Sequence, residues 1–500
     1  MGITIVDVVI IVVYLIVVAI IGSFSGGKQK STKDYFLGGK SVPWWAVSFS
    51  IVAAETSSLT FISVPGLAYL ANLNFLQVTF GYLLGRIVIA FLFLPAYKKG
   101  DLVTAYAFLE ERFGFKTRRF ASTVFLFTRI AADGVRLFAT AIPLAVIFRT
   151  SSYFATMSDF DIYLISIVII ALVSFFYTYT GGVKGIIWAD VLQMTIYVGG
   201  ALLALFVLIG KMPADFSLDS LGDKLQLFNL SGGGSLPGFF REPYTLVGSL
   251  LGGMFLSMAS HGTDQLIVQR LLTTRNLRDS QKAIITSGLI VIFQFALFLG
   301  VGLLLYKFYN GIALTDPQAP FHKPDEIFPY FIIHALPAGL KGLIVAGLFA
   351  AAMSTLAGSM SSLSGSAMFD LYKPLTGKDI SPQKELLVSR IFTVIAGLIL
   401  VLVAFLFIEL AQSVVEIALG IASITYGGLL GTFLLGLLSK KVNEKSAILG
   451  FSAGILSMLA VSLVPILVNQ PPLIHWTWYV LLGSGITVAV GSLFKFSAHE

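Results

Sequence analysis

Polar residues are so sparse along this 500-residue chain that hydrophobic positions run together instead of alternating. The long runs show neither the two-residue period of a half-buried strand nor the narrow apolar stripe of a surface helix. They are apolar all round, which predicts helices surrounded by lipid or by other helices. A helix of about 20 such residues crosses the roughly 30 Å hydrocarbon layer of a bilayer. Thirteen stretches qualify: 3–24, 44–70, 75–97, 120–148, 162–180, 188–210, 244–272, 284–309, 340–369, 386–408, 414–439, 447–468 and 478–494. The fold expected is therefore all-α and polytopic, one transmembrane domain over 1–500. The first stretch has no basic leader and no small-residue cleavage site, so it is expected to be retained as a helix. The tail after 494 is too short for a soluble domain.

Composition sharpens this. Hydrophobic residues make up 56% of the chain and charged residues only 12%, with a mean hydropathy of +0.89. An average soluble protein carries about twice that share of charge, so a soluble enzyme or a nucleic-acid binder is excluded. There is no cysteine, and hence no disulfide or thiolate metal site. The net charge of +7 is topological. With the N-terminus outside, 23 of the 33 lysines and arginines fall on the inner side and 7 on the outer, while Arg86, Arg129 and Arg136 lie within apolar stretches. The positive-inside rule then predicts N-out, C-in in the cell's inner (plasma) membrane.

Two stretches carry polar residues at mid-span. The second has Glu55, Thr56, Ser57, Ser58 and Thr60; the seventh has Ser257, Ser260, His261, Gly262, Thr263 and Asp264. Either the hydroxyls bond back to the i−4 carbonyl of a continuous helix, or both helices are broken around a midplane site. Five spans separate the two, the spacing of two inverted five-helix repeats. The repeats would cover 44–210 and 244–439, preceded by one helix (3–24) and followed by two (447–494).

The rare intramembrane charges and hydroxyls are the candidate chemistry. Ser354 and Thr355, in a helix of small residues, either bond to a neighbouring helix or supply hard oxygens to a cation. Glu55 requires a cation at midplane: sodium, a substrate ammonium or a partner arginine. Asp133 lies between Arg129 and Arg136 at helical spacing, which favours an internal ion pair; the other role for Arg136 is to meet Glu55 or a substrate carboxylate. Arg86 reads better as a paired residue than as a solute clamp. Asp190 is either an acid at a helix N-terminus near the membrane edge or a buried cation ligand. His261 is either a satisfied packing residue or a solute contact able to make transport pH-sensitive.

Four ordered motifs, DYFLGGKSVPWW (34–45), GGVKGIIWADVLQ (181–193), GTDQLIVQR (262–270) and GLFAAAMSTLAG (347–358), resemble the sodium/solute symporter family, including its sodium/proline, sodium/galactose and sodium/sialic acid branches. The resemblance covers the whole chain. It implies a LeuT-type 5+5 inverted-repeat core within thirteen transmembrane helices, and sodium-driven import of a small polar solute such as an amino acid or sugar, with Na+ as the only cofactor. It places a sodium ion on the carbonyls of Ala53, Thr56 and Ala351 and the hydroxyls of Ser354 and Thr355. In some relatives the acid matching Asp190 helps hold a second sodium with two serines. Those positions are Ala357 and Gly358 here, which points to one sodium per solute. The family's solute-lining positions match Glu55, Ser57, Thr60, Phe75, Thr79, Ser257, Ser260 and His261; the arginine with which some relatives hold a sialic-acid carboxylate falls at about Ala132 here, with Arg136, a further solute candidate, one turn away.

On this reading the partners are solute, sodium ion and membrane lipid, with no nucleic acid and no evident obligate protein partner. One positive charge moved through 100 mV supplies about 2.3 kcal/mol, roughly a 40-fold solute gradient. Glu55 tilts the solute toward an amine-bearing or polyhydroxy molecule. Proton coupling through Glu55 and His261, and a transporter-like membrane sensor, are the alternatives. A membrane enzyme is disfavoured because only five histidines exist and one is placed centrally.

Overall fold

The computed structural model describes residues 2–100, 102–149, 156–231, 234–376, 381–408, 414–468 and 470–493. Lys378 and Lys495 of the basic inner set, and Phe494 at the end of the last expected span, lie outside these. Helices are the regular elements of the described residues, joined by turns and loops, with one isolated bridge between Val42 and Thr274. The principal helices are α1 (Ile5–Ser25), α2 (Trp44–Glu55), α3 (Ser58–Leu70), α4 (Leu76–Val88), α5 (Phe115–Phe148), α6 (Asp159–Gly210), α7 (Leu246–Gly262), α8 (Gln265–Leu272), α9 (Leu277–Phe308), α10 (Leu340–Ser366), α11 (Pro382–Leu406), α12 (Val414–Leu438), α13 (Glu444–Leu467) and α14 (Tyr479–Leu493). Among the described residues nine helices are long and apolar enough to span a membrane, ten if the bent pair α2–α3 counts as one span.

The sequence places a loop between 180 and 188; the structure instead continues as helix. α6 runs for 52 residues and bends at Gly182, whose φ of 57° and ψ of −162° take one residue out of helical geometry. At 1.5 Å per residue a straight helix of that length would measure about 78 Å, more than twice the hydrocarbon layer. One glycine in a conformation that L side chains avoid does the work of a loop. The same region packs tightly on α1: a Cβ on Gly181 would sit 2.0 Å from the Gly22 carbonyl oxygen. A second addition to the sequence reading is the short helix Pro324–Ala335 before α10, outside any expected span.

α10 is the centre of the molecule, with 94% of its most apolar window buried. Its run of Ala, Ser, Gly and Thr lets neighbouring backbones approach. Asp7 ties α1 to its start, its carboxylate accepting from the Gly339 and Gly342 N–H groups at 2.8 Å each. Negative charge there also complements the helix dipole.

Both polar mid-span segments are breaks. α2 and α3 meet at 63° because Thr56 and Ser57 are extended, with ψ of 105° and 167°. α7 and α8 part at Thr263 and Asp264, where the Asp264 carboxylate caps α8 by accepting from the Leu266 N–H at 2.9 Å. The first break has no side-chain cap.

Candidate functional site

The uncapped break sets up the first half of the site. The last carbonyls of a helix have no intrahelical acceptor role. Thr56 N–H takes the Val52 carbonyl at 2.9 Å, leaving Ala53 among those that the extended residues turn out of the ladder. Ala53 and Thr56 are buried. Gln294 of α9 donates to the Thr56 hydroxyl at 2.7 Å, holding the break in place. On α10, Thr355 donates to the Ala351 carbonyl at 3.2 Å, and Ser354 donates to Asp190 at 2.6 Å. A donated proton fixes each hydroxyl with its lone pairs facing away, available to a hard cation.

Around the two breaks, among the described residues, buried acids and arginines form three clusters, each with equal numbers of the two; Asp370, paired with Arg118, and Asp7 are buried elsewhere. In the first, Glu55 is ion-paired with Arg86, which is wholly buried and also donates to Ser287 at 2.8 Å and to His261 Nε2 at 3.0 Å. Arginine has no acceptor, so Nε2 accepts and a neutral ring carries its proton on Nδ1. Nδ1 lies 2.8 Å from Ser260, whose own hydroxyl goes to the Leu256 carbonyl. A partner arginine, one of the three sources of positive charge open to Glu55, is thus supplied by Arg86.

In the second cluster Arg129 bonds Asp133 at 3.2 Å and Asp264 at 2.7 Å, and Tyr426 also donates to Asp264 at 2.7 Å. Asp133 accepts from Ser359 as well, and meets Arg136 at 3.4 Å. The internal pairing expected on α5 is thus present, extended to α8 and α12. Arg136 is its loosest member: its side chain is 21% exposed, against 6% for Arg129.

The third cluster is Asp190 with Arg270 at 3.1 Å, Ser354 at 2.6 Å and Ser50. Asp190 is fully buried and met by an arginine and two hydroxyls from other helices, more than a helix N-terminus alone would supply. Gly358 makes room for this pair, since a Cβ there would stand 2.6 Å from an Arg270 guanidinium nitrogen. Unpaired, any of these ions would be costly; paired and hydrogen-bonded, each is tolerated.

Between the first break and α10 lies a cavity of about 10 Å³, lined by Ser57, Asp133, Arg136, Leu137, Thr140, Ala352, Thr355 and Leu356. That is space for one water-sized particle, not for a solute. It brings together Ser57, Arg136 and Thr355 of the expected residues, while Ser58 and Thr140 bond one another beside it. Phe75 lies elsewhere, stacked on Phe295 at 5.6 Å and edge-on to Tyr244 at 5.1 Å. Thr79 is buried and bonds the Leu76 carbonyl in its own helix. Ser257 is buried against Gly85 with no hydrogen-bond partner for its hydroxyl, and Thr60 is half-buried. Sequence reasoning missed Gln294, Leu137, Thr140 and Ala352 as site residues, and missed Arg270 as the partner of Asp190.

The profile of the Sodium:solute symporter family matches residues 35–454. The sodium/sialic acid symporter of Aliivibrio fischeri is 29% identical over 96% of this chain and 91% of its own, and that of Proteus mirabilis 27% over 96% and 92%. The sodium/glucose cotransporter of Vibrio parahaemolyticus is 27% identical over 98% and 91%. A solved substrate-bound, outward-open sodium-coupled sialic acid symporter superposes with a TM-score of 0.84 at 26% identity, covering 98% of this chain and 97% of its own. A closed nucleobase-cation-symport-1 transporter, 12% identical, shares the fold at a TM-score of 0.56, over 92% and 96%. With the family profile covering most of its length and its buried polar residues gathered at two helix breaks, this chain belongs to the sodium:solute symporter family and is a multi-pass, sodium-coupled membrane transporter, not an enzyme.

Proposed function

We propose that the protein imports a small polar solute bearing a carboxylate, with one sodium ion per solute, by alternating access. The observation that carries this is the position of Arg136: partly exposed, loosely paired, and lining one cavity with Ser57 and Thr355. A guanidinium is suited to bidentate recognition of a carboxylate, and Ser57 and Thr140 add hydroxyls beside it. The sialic acid relatives make sialic acids the first solutes to try. Sodium is held by the carbonyls of Ala53, Thr56 and Ala351 and the hydroxyls of Ser354 and Thr355, all of them buried residues. Glu55, Thr60, Phe75, Thr79, Ser257, Ser260 and His261 line the remainder of the route.

Support for a single sodium comes from Asp190. Its charge is already met by Arg270, and Ala357 and Gly358 offer no hydroxyls. The architecture proposed is a 5+5 inverted-repeat core (44–210 and 244–439) with one helix before and two after it. The count of thirteen crossings takes α6 as two and each broken pair as one. The N-terminus is outside and the C-terminus cytoplasmic. Proton coupling is the second reading, favoured only by the contact of His261 with Glu55.

A thermal-shift screen of the purified protein against sialic acids, other sugar acids, neutral sugars, amino acids and vitamins, with and without sodium, tests this. A sugar acid that stabilises only in sodium is the expected result. Stabilisation by a neutral sugar or an amine instead would contradict the role given to Arg136.

A further inference from the structure

A cleft of about 400 Å³ opens between the residues leading into α2, the helical continuation of α4 through Leu94–Lys99, and the loop joining α8 to α9. Its lining includes Lys40, Lys98, Lys99, Arg275, Asn276 and Leu277, with no carboxylate. The carboxylate of Asp279, the acid next along the chain, accepts from the Asn276 side chain at 3.1 Å and is the acid whose charge reaches Lys98. The walls are fixed to one another: Lys98 donates to the Thr274 carbonyl at 3.0 Å, and Val42 N–H to the Thr273 carbonyl at 3.3 Å. Lys99 and Arg275 are exposed. Leu277 brings the positive end of the 32-residue α9 to the same place. Four cations from three chain segments around one concavity exceed what orientation in the membrane requires.

The depth of the cleft identifies its occupant. Trp44 and Trp45 follow Lys40 by four and five residues. Trp45 is 42% exposed and packs edge-on to Trp188 at 5.5 Å, while Lys282 lies 6.0 Å over the Trp44 ring. Tryptophans grouped with lysine mark the headgroup level of a bilayer, and this is the lysine- and arginine-rich side of the molecule. We infer that the cleft binds a phosphate-bearing anion, and that its position makes this the headgroup of an anionic phospholipid rather than a solute from the cytoplasm. Basic side chains near an anionic leaflet act in this way. The inference is independent of which solute is carried.

Native mass spectrometry of the full-length protein, offered phosphatidylglycerol or phosphatidylcholine, reads the site directly. The intact protein is expected to retain one phosphatidylglycerol and release phosphatidylcholine. The Lys99→Ala/Arg275→Ala variant should bind phosphatidylglycerol about 30-fold more weakly while keeping its sodium-dependent thermal stabilisation. A Lys99→Arg/Arg275→Lys variant, which keeps the charge, should bind as the parent does. Unchanged phosphatidylglycerol retention by the alanine variant would overturn the site. Equal stabilisation by inorganic phosphate in the absence of lipid would overturn the assignment to a lipid.

Discussion

At the scale of single residues, the buried ions decide most. Removing one partner of a buried pair strands the other, at a cost of about 3–5 kcal/mol. Arg270→Met should therefore lower the melting temperature sharply, and Asp190→Asn in the same chain should recover part of it; a denaturation series reads both. Gly358→Ala should also destabilise, because its Cβ would press on the Arg270 guanidinium at 2.6 Å. A neutral melting temperature for Gly358→Ala would mean the guanidinium has another place to go. Asp190 was visible in the sequence because charge inside an apolar stretch is scarce; Arg270, counted there with the inner-side cations, is instead buried against it. Pairings of buried ions were visible only at helical spacing. Asp133 with Arg129 and Arg136 could be read from intervals of three and four, whereas Glu55 with Arg86 and Asp190 with Arg270 are separated by 31 and 80 positions. No periodicity reports contacts of that range.

At the scale of helices, the breaks organise the site. Interrupting α2–α3 at Thr56 and Ser57 frees carbonyls beside α10, where Ser354 and Thr355 stand. Thr355 bonds only a carbonyl of its own helix within hydrogen-bond range, an interaction that adds little stability. Thr355→Ala should thus leave the sodium-free melting temperature nearly unchanged. It should raise the sodium concentration for half-maximal stabilisation by about 10-fold, the loss of one ligand at roughly 1.4 kcal/mol. An unchanged sodium requirement would remove Thr355 from the ligand set. Both breaks were legible from polar residues at mid-span, five spans apart. The bend at Gly182 was not, because a glycine pair inside a polar interval reads equally as a loop or a kink. The composition of α10 was legible as a close-packing surface, but which side chains it would meet was fixed only by tertiary structure.

For the molecule as a whole, charge balance constrains transport. The three clusters at the breaks carry equal numbers of acids and arginines, so on the proposed reading the cargo sets the charge that moves through the site. One sodium with a monoanionic solute carries none across the membrane. Uptake should then be indifferent to an imposed potential, unlike the electrogenic symport of a neutral sugar, for which 100 mV supplies about 2.3 kcal/mol. Sodium and solute should each tighten the other's binding by the same factor. Membrane class was read directly from the sequence, since 12% charge cannot cover a soluble protein of this size. Solute identity was not, because it depends on which buried charge remains loosely held. That is a property of the packed structure, and on the proposed reading the residue is Arg136.

The most direct measurement is uptake of labelled sialic acid into proteoliposomes with sodium varied and the membrane potential clamped at zero and at −100 mV. Accumulation should require an inward sodium gradient, rise with a Hill coefficient near 1, proceed at the same rate at both potentials, and fall at least about 100-fold in Arg136→Ala, the loss of a charged bidentate contact. Uptake in sodium-free buffer driven by a proton gradient, or a Hill coefficient near 2 with acceleration at −100 mV, would contradict the account.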